Sequence, residues 1–281
     1  MFDCVKGPGG CGRTIGASLR ILVTNDDGIH SPGLWALAEG LKGVGEVAVV
    51  APDRDQSGIG SAKTLVAVVR VEEVPARIDG VKAFSVQGTP ADCVILAIES
   101  LFQERFDLVV SGINQGANLG LDIMSSGTVG GAMQGYFRNI PSMAVSVTSL
   151  NDVKYEAAAV TARCLAVAVS RSSPPGPLLL NVNVPNVAPE MIEKVDITRL
   201  GPRAYMESVQ RESDGRRTHY WIRQNRPTNL EVGEGTDIWA VRKNRVSITP
   251  VDLLAGPGEP VIAYDALAGE VAKELGLSAA E

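Results

Sequence analysis

The stretch Leu19-Arg-Ile-Leu-Val-Thr-Asn-Asp-Asp-Gly28 joins a short apolar run to two adjacent carboxylates and a glycine. An apolar run of this length is typical of a strand that is buried on both faces of a parallel sheet. Residues Pro32 to Leu41 follow, with apolar side chains at helical spacing and a proline near the first turn, and they predict a helix. A strand, a polar turn and a helix in this order indicate an α/β fold.

The same alternation continues along most of the chain. Further strands are predicted at Glu46–Ala51, Leu65–Val71, Val81–Val86, Asp107–Ser111, Ser142–Thr148, Leu178–Asn183 and Val246–Thr249, and further helices at Pro90–Leu101, Gly127–Phe137, Tyr155–Val169 and Glu259–Leu275. Strands that alternate with helices predict a Rossmann-like, doubly wound, mainly parallel sheet with helices on both faces. In such sheets, ligands bind at the edge where the strands end.

Three regions are predicted along the chain: a Gly-rich flexible tail over residues 1–18, a Rossmann-like domain over 19–185, and a C-terminal extension over 186–281. Within the extension, Thr218–Arg223 looks like one arm of a hairpin whose turn contains Asp214-Gly215. A two-stranded hairpin is marginally stable by itself, so we expect this arm to pack on another subunit.

The composition is that of an ordinary globular protein, with 45% hydrophobic and 21% charged residues and a net charge of −6. This charge argues against broad capture of nucleic acid or of an anionic membrane. No apolar run reaches the roughly 18 residues of a membrane-spanning helix, and the first twenty residues lack the apolar core of a signal peptide. The expected location is the cytoplasm.

Four polar segments follow predicted strands, and they would share one edge of the sheet. The first contains Asp26 and Asp27, two adjacent carboxylates that repel each other, and a divalent cation would compensate this repulsion. Ser57 in the second segment and Asn114 in the third add oxygen atoms, and an all-oxygen set suits Mg²⁺ or Mn²⁺. With two histidines in the chain, a histidine-rich zinc or copper site is not expected. The ordinary alternative for each segment is a polar turn or a helix cap.

The fourth segment, Ser125 to Gly131, opens a predicted helix. Backbone N–H groups at a helix start, with the hydroxyls of Ser126 and Thr128 beside them, favour a bound phosphate, and Gly127 permits close approach. Asn118 brings a further amide group to the same edge, and Thr89 precedes another predicted helix as a weaker candidate of the same kind. Simple capping of the helix by these hydroxyls is the alternative.

These residues belong to a series of short blocks that resembles the SurE family of stationary-phase survival nucleotidases over about residues 19 to 250. The blocks are Ile21–Gly28, Val50–Asp53 with Ser57-Gly58, Gly88–Cys93, Val110–Asn114 with Asn118–Gly120, Ser126–Val129, Asn181–Pro185, Gly235–Asp237 and Val246–Pro250. The resemblance implies a single divalent metal ion held by Asp26, Asp27, Ser57 and Asn114. It also implies hydrolysis of nucleoside 5′- and 3′-monophosphates, and it leaves short polyphosphate open as a further substrate. Family members are dimers or tetramers that exchange C-terminal segments.

Two positions depart from the family pattern, at Ser125 and near Ser61, and they concern substrate preference more than metal binding. As a mechanistic hypothesis, Asp26 handles the proton of the attacking water, because one of two crowded carboxylates can have a raised pKa. Asp27 is the second candidate catalytic residue, and Ser126, Gly127 and Thr128 would cradle the phosphate.

The alternative function is a non-catalytic regulator that binds nucleotide in the same pocket. A dinucleotide-dependent oxidoreductase is disfavoured, because Asn-Asp-Asp-Gly stands where the glycine fingerprint should follow the first strand. A P-loop NTPase is excluded, because the chain has no G-x-x-x-x-G-K-[ST] motif.

Overall fold

The structure is a computed structural model that describes residues 19–171, 177–204, 206–215, 217–225 and 232–253. The tail over 1–18 and the helix predicted at Glu259–Leu275 lie outside these residues. Internal contacts divide the chain into one compact unit over Met1–Val251 and a second over Asp252–Glu281, and the following description concerns the first.

The strands are β1 (Leu19–Thr24), β2 (Gly45–Pro52), β3 (Val71–Val74), β4 (Lys82–Val86), β5 (Leu108–Gln115), β6 (Ser142–Val147), β7 (Leu179–Val184), β8 (Lys194–Ile197), β9 (Met206–Ser213), β10 (Thr218–Asn225) and β11 (Arg245–Pro250). The α-helices are α1 (Pro32–Lys42), α2 (Pro90–Leu96), α3 (Gly127–Tyr136), α4 (Glu156–Arg171) and α5 (Asp237–Arg242). A π-helical segment at Ala97–Leu101 continues α2, and short 3₁₀ helices occupy Gly120–Ser125 and Pro189–Met191.

Nine of these strands form one sheet in the order β3-β4-β2-β1-β5-β6-β7-β11-β8. The six strands that lie between β3 and β11 in this order, from β4 through β2, β1, β5 and β6 to β7, are parallel. At the two ends of this group, β3 runs antiparallel to β4, and β11 runs antiparallel to β7. From β1 the sheet grows in one direction through β2 and in the other through β5, so a topological switch point lies between β1 and β5. The predicted doubly wound, mainly parallel α/β fold is confirmed.

The apolar runs form strands because both faces of the sheet are covered. Ile21 and Val23 of β1 belong to one core cluster, which includes side chains of α1 and α4. Leu22 points to the other face and belongs to a second cluster with Cys93 and Val94 of α2. Since successive side chains of a strand alternate between faces, the side chains on both sides of a doubly covered strand are buried, and most of them are apolar. Each fully buried aliphatic side chain stabilises the fold by about 1.5–3 kcal/mol.

The strand predicted at Leu65–Val71 is wrong in its position. Leu65, Val66 and Val68 are 81%, 101% and 85% exposed, and pairing begins only at Val71, which lies opposite Val86. An apolar run does not by itself show whether a neighbouring strand is within reach. Between residues 65 and 74, only residues 71–74 pair with β4, whose other side pairs with β2.

Three further differences affect the C-terminal part and the site. The prediction missed β8 and α5, which are short and carry little periodicity. Strand β5 continues to Gln115, so that Asn114 lies inside a strand and not in the loop after one. Strand β11 pairs with β7, and the compact unit therefore extends to Val251, past the boundary predicted at residue 185.

The predicted hairpin is formed by β9 and β10, which pair only with each other among the described residues. Val209 lies opposite Ile222, and both are exposed, as are the neighbouring Tyr220 and Trp221.

Within the described part of the chain, no helix is both long enough and apolar enough to span a bilayer.

Candidate functional site

A cavity of about 240 Å³ opens at the carboxyl ends of β1 and β5, next to the switch point. Four separate segments contribute to its wall: Asp26 after β1, Ser57 and Gly58 after β2, Asn114 to Asn118 at the end of β5, and Asp122 with Ser125 and Ser126 before α3. Leu150, from the connection between β6 and α4, completes the lining. The four polar segments identified in the sequence therefore meet at one place.

Asp26 is 3% exposed and is held by the start of α3. The hydroxyl of Thr128 donates to Asp26 Oδ1 at 2.6 Å, and the backbone N–H of Thr128 lies close enough to stabilise the carboxylate as well. Burial raises the pKa of Asp26 above its usual range, and the bonds from Thr128 act in the opposite direction. The helix start therefore binds a carboxylate of the protein itself.

Asp27 lies beside this carboxylate with less support. Its Oδ2 is buried and has no hydrogen-bond partner among the described residues. Burial and then the charge of Asp26 raise its pKa to about 7, whereas the backbone N–H of Gln115 acts to lower it. A buried carboxylate oxygen without a partner is costly, and a divalent cation would compensate it.

Two of the other predicted metal ligands line the same cavity. Asn114 donates through its amide nitrogen to the Gly116 carbonyl at 2.6 Å, which leaves the amide oxygen as the acceptor group. The pairing of β5 with β6 shifts register between Gly112 and Asn114, and such an irregularity redirects the side chains next to it. Ser57 is exposed, and both its hydroxyl and its backbone N–H donate to Asp55 Oδ1, at 2.6 and 2.7 Å.

The described residues contain no group of three or more His, Cys, Asp or Glu side chains arranged to hold a metal ion. The predicted set has two carboxylates, one hydroxyl and one amide. It therefore differs from a site built of three or more His, Cys, Asp or Glu side chains. Its donors are all oxygens, which fits a hard cation such as Mg²⁺ or Mn²⁺.

Asn118 is fixed by the neighbouring strands. Its backbone N–H donates to Asn183 Oδ1 at 2.9 Å, and its carbonyl accepts from the side chains of Asn181 and Asn183. Its own amide nitrogen donates to Ser146 Oγ at 2.9 Å. Asn181 and Asn183 are buried supporting residues that the sequence showed only as part of the block before Pro185.

The predicted phosphate residues at α3 divide into two roles. Ser126 caps the helix, accepting from the Val129 N–H at 3.2 Å, and also lines the cavity. Thr128 is fully buried and its hydroxyl is committed to Asp26. Gly127 packs against the same carboxylate, because a Cβ atom there would lie 2.8 Å from Asp26 Cβ.

Thr89 caps a helix, which the sequence analysis named as the alternative to phosphate binding. It forms a capping box with Asp92 at the start of α2, and its hydroxyl donates to the Ala62 carbonyl at 2.7 Å. The cavity lining, taken over the described residues, does not include it.

Two carboxylates that the sequence analysis did not single out support the cavity wall. Asp122 accepts from the Ala204 N–H at 2.6 Å and from Arg203 Nε at 3.2 Å. Asp237 is fully buried and accepts from the N–H groups of Gly120 and Gly201, at 2.7 and 2.8 Å. The only sequence signal for Asp237 was its place in the block that begins at Gly235.

The comparisons with known proteins all find similarity to the same family. The profile of the family described as Survival protein SurE matches residues 21–207. A 5′-nucleotidase SurE of Dehalococcoides mccartyi is 46% identical over 237 residues, which cover 82% of this chain and 88% of the relative. A 5′-nucleotidase SurE of Geobacter sulfurreducens is also 46% identical, over 84% of this chain and 88% of the relative. The crystal structure of the Aquifex aeolicus SurE protein is similar with a TM-score of 0.73 and 38% identity, over 91% of this chain and 99% of that one.

Proposed function

This chain belongs to the survival protein SurE family, and from that premise we propose that it is a 5′-nucleotidase that hydrolyses nucleotide phosphomonoesters with one divalent cation. The observation that carries the proposal is Asp27 Oδ2, a buried carboxylate oxygen with no hydrogen-bond partner among the described residues, next to Asp26 at the end of β1. Two crowded carboxylates at the switch point of the sheet, of which Asp26 lines the cavity, fit a cation that binds together with an anionic substrate.

The residues that would hold the cation are Asp26, Asp27, Ser57 and Asn114, and Mg²⁺ or Mn²⁺ suits their oxygen atoms. When bound, such an ion neutralises charge on phosphoryl oxygens and makes water easier to deprotonate at neutral pH.

The chain's own groups supply the remaining chemistry. Asp26 lines the cavity, and its raised pKa suits it to take the proton from the attacking water. The phosphate would lie against Ser126 and Asn118, whose positions are fixed by the cap of α3 and by Asn183. Thr128 and Gly127 act indirectly, because they hold the Asp26 carboxylate in place.

The proposed substrates are nucleoside 5′- and 3′-monophosphates, with short polyphosphate as a further substrate. We also propose that the protein acts as a homodimer or homotetramer through the β9–β10 hairpin, because this hairpin exposes Val209, Tyr220, Trp221 and Ile222. The proposed location is the cytoplasm, with no stable complex with nucleic acid or membrane.

Phosphate release from 5′-AMP and 3′-AMP, measured with Mn²⁺, Mg²⁺ or EDTA, tests the function. Turnover should require the metal, and Asp27→Ala should lower it by roughly 10²-fold or more. Asp79→Asn is the matched control, because Asp79 is exposed and lies outside the cavity. Full metal-dependent turnover by Asp27→Ala would refute the assignment of the site, and nucleotide binding without phosphate release would favour the regulator.

A further inference from the structure

Ser57 is the least constrained of the four residues assigned to the cation, because it is exposed on the loop after β2. An exposed serine side chain ordinarily samples several rotamers. Here the hydroxyl and the backbone N–H of Ser57 both reach one oxygen, Asp55 Oδ1, at 2.6 and 2.7 Å. This double contact fixes the side chain on the loop.

The direction of the hydrogen bond also follows from the chemistry. An ionised carboxylate can only accept, so the single hydroxyl proton of Ser57 has to point toward Asp55. The lone pairs of Ser57 Oγ are then left for the cavity, which Ser57 lines. A hydroxyl held in this way is ready to act as a ligand to a cation.

Asp55 also places a negative charge next to Ser57. Because Asp55 Oδ1 lies 2.6 Å from Ser57 Oγ, this charge would stand close to a cation that Ser57 binds. The cavity lining, over the described residues, does not include Asp55 itself. Its contact with the site therefore runs through Ser57.

We propose that Asp55 is a positioning residue of the cation site, which orients Ser57 as a ligand and increases the affinity for a divalent cation by its charge. The proposal rests on the proposed function, since it assumes that a cation binds at this site. Partners that orient a metal ligand commonly change metal affinity by about 10- to 100-fold when they are removed.

The test is the affinity of the full-length chain for Mn²⁺, measured by electron paramagnetic resonance of the free ion at pH 7. Asp55→Ala should weaken binding by about 10- to 100-fold. Asp55→Asn keeps an acceptor oxygen for Ser57 and removes the charge, so it should weaken binding less, and its deficit should shrink as salt is added. Asp79→Asn is the control for loss of a distant surface charge.

A double-mutant cycle separates positioning from a general effect of charge. If Asp55 acts through Ser57, Asp55→Ala should cost much less affinity in the Ser57→Ala background than in the unaltered chain. Equal Mn²⁺ affinities for the unaltered chain and Asp55→Ala would overturn the role of Asp55 and leave the proposed function intact. Failure of the unaltered chain to bind Mn²⁺ would instead overturn the cation site, and the role of Asp55 with it.

Discussion

Asp26 and Asp27 are adjacent in the chain, yet the fold gives their carboxylates different surroundings. Asp26 receives the Thr128 hydroxyl at 2.6 Å, and this bond joins residues that are 102 positions apart. Asp27 keeps one buried oxygen without a partner among the described residues. The described part of the protein thus holds one carboxylate with a hydroxyl group of its own and gives one oxygen of the other no hydrogen-bond partner.

The pH dependence of folding stability tests the burial of Asp27 in the metal-free protein. Its pKa is raised from 3.8 to about 7, so the folded chain binds this proton more tightly than the unfolded chain does. The stability linked to it is fully present below pH 3.8 and is lost as the pH rises through about 7. Urea unfolding in EDTA should show this decline, at up to about 1.4 kcal/mol per pH unit.

The matched variant is Asp27→Asn, which cannot titrate and should lack this part of the decline. Excess Mn²⁺ should reduce the decline in the unaltered protein, because the cation favours the charged carboxylate. If the unfolding free energies of the two proteins ran parallel from pH 4 to pH 8, Asp27 would not be the group responsible.

The substitution Gly127→Ala tests how closely α3 has to approach Asp26. In Gly127→Ala the new Cβ would lie 2.8 Å from Asp26 Cβ and 2.9 Å from its Oδ2, so the carboxylate has to move. A displacement of this kind should lower kcat/KM for AMP by roughly 10- to 100-fold. Alanine favours helices more than glycine does, so helix propensity would not explain a loss.

Gly43→Ala is the control for this substitution. Gly43 has a φ of −74° at the end of α1, and a Cβ there meets nothing within 4 Å. This variant should keep full activity and gain up to about 1 kcal/mol in stability. Full activity in Gly127→Ala would show that the start of α3 does not position Asp26 for the reaction.

At the scale of elements, one wall of the cavity depends on helix α5. The 3₁₀ helix Gly120–Ser125 carries Asp122 and Ser125 into the wall, and its first residue donates to Asp237 at 2.7 Å. The other oxygen of Asp237 accepts from Gly201 at 2.8 Å, in the segment that leads to β9. A helix of six residues therefore holds the wall and the base of the hairpin together.

Asp237→Ala should unfold more easily than the unaltered protein by about 2–4 kcal/mol, because it leaves buried N–H groups without acceptors. The movement of the wall should raise KM for AMP while the affinity for Mn²⁺ stays unchanged, since the assigned cation ligands lie in other segments. Urea unfolding, steady-state kinetics and Mn²⁺ titration measure the three effects. Asp79→Asn is the control, and unchanged stability and KM in Asp237→Ala would contradict this role.

On the scale of the whole molecule, the sheet brings the site together and leaves the hairpin exposed. Residues 26, 57, 114 and 126 are distant in sequence, and the parallel arrangement of β2, β1 and β5 brings their segments to one edge. By contrast, β9 and β10 form a separate two-stranded sheet whose Val209 and Ile222 are 65% and 76% exposed. Such an apolar pair, on a hairpin whose strands pair only with each other in the described part of the chain, favours contact with another subunit.

Ile222→Ser should therefore weaken self-association by roughly 10-fold or more, since burial of one such side chain contributes about 1.5–3 kcal/mol. Sedimentation equilibrium over a range of protein concentrations measures the change. Met191→Ser is the control, because Met191 is also exposed, at 62%, but lies away from the hairpin in sequence and pairing. An unchanged association constant in Ile222→Ser would rule out this face of the hairpin as the contact.

The local sequence was sufficient to predict most of the fold. The run Leu19–Thr24 is apolar at nearly every position, and this pattern alone indicates a strand covered on both faces. The alternation of strands and helices also indicated the edge of the sheet at which the polar segments meet, because the carboxyl ends of parallel strands share one edge. The carboxylate pair, Asn114 and Ser126 were accordingly expected near one another. Asp26, Asn114 and Ser126 line one cavity, and Asp27 interacts with Asp26.

The tertiary structure alone decided which polar group binds which. The hydroxyl of Thr128 holds Asp26, whereas that of Thr89 caps a helix and binds Ala62, although both residues stand near a predicted helix start. Likewise, the apolar residues at Leu65–Val68 do not form the predicted strand, because between residues 65 and 74 only residues 71–74 pair with β4. Periodicity and turn residues act over a few positions and can be read from the sequence. Hydrogen bonds between distant segments depend on distances that exist only after the sheet has assembled.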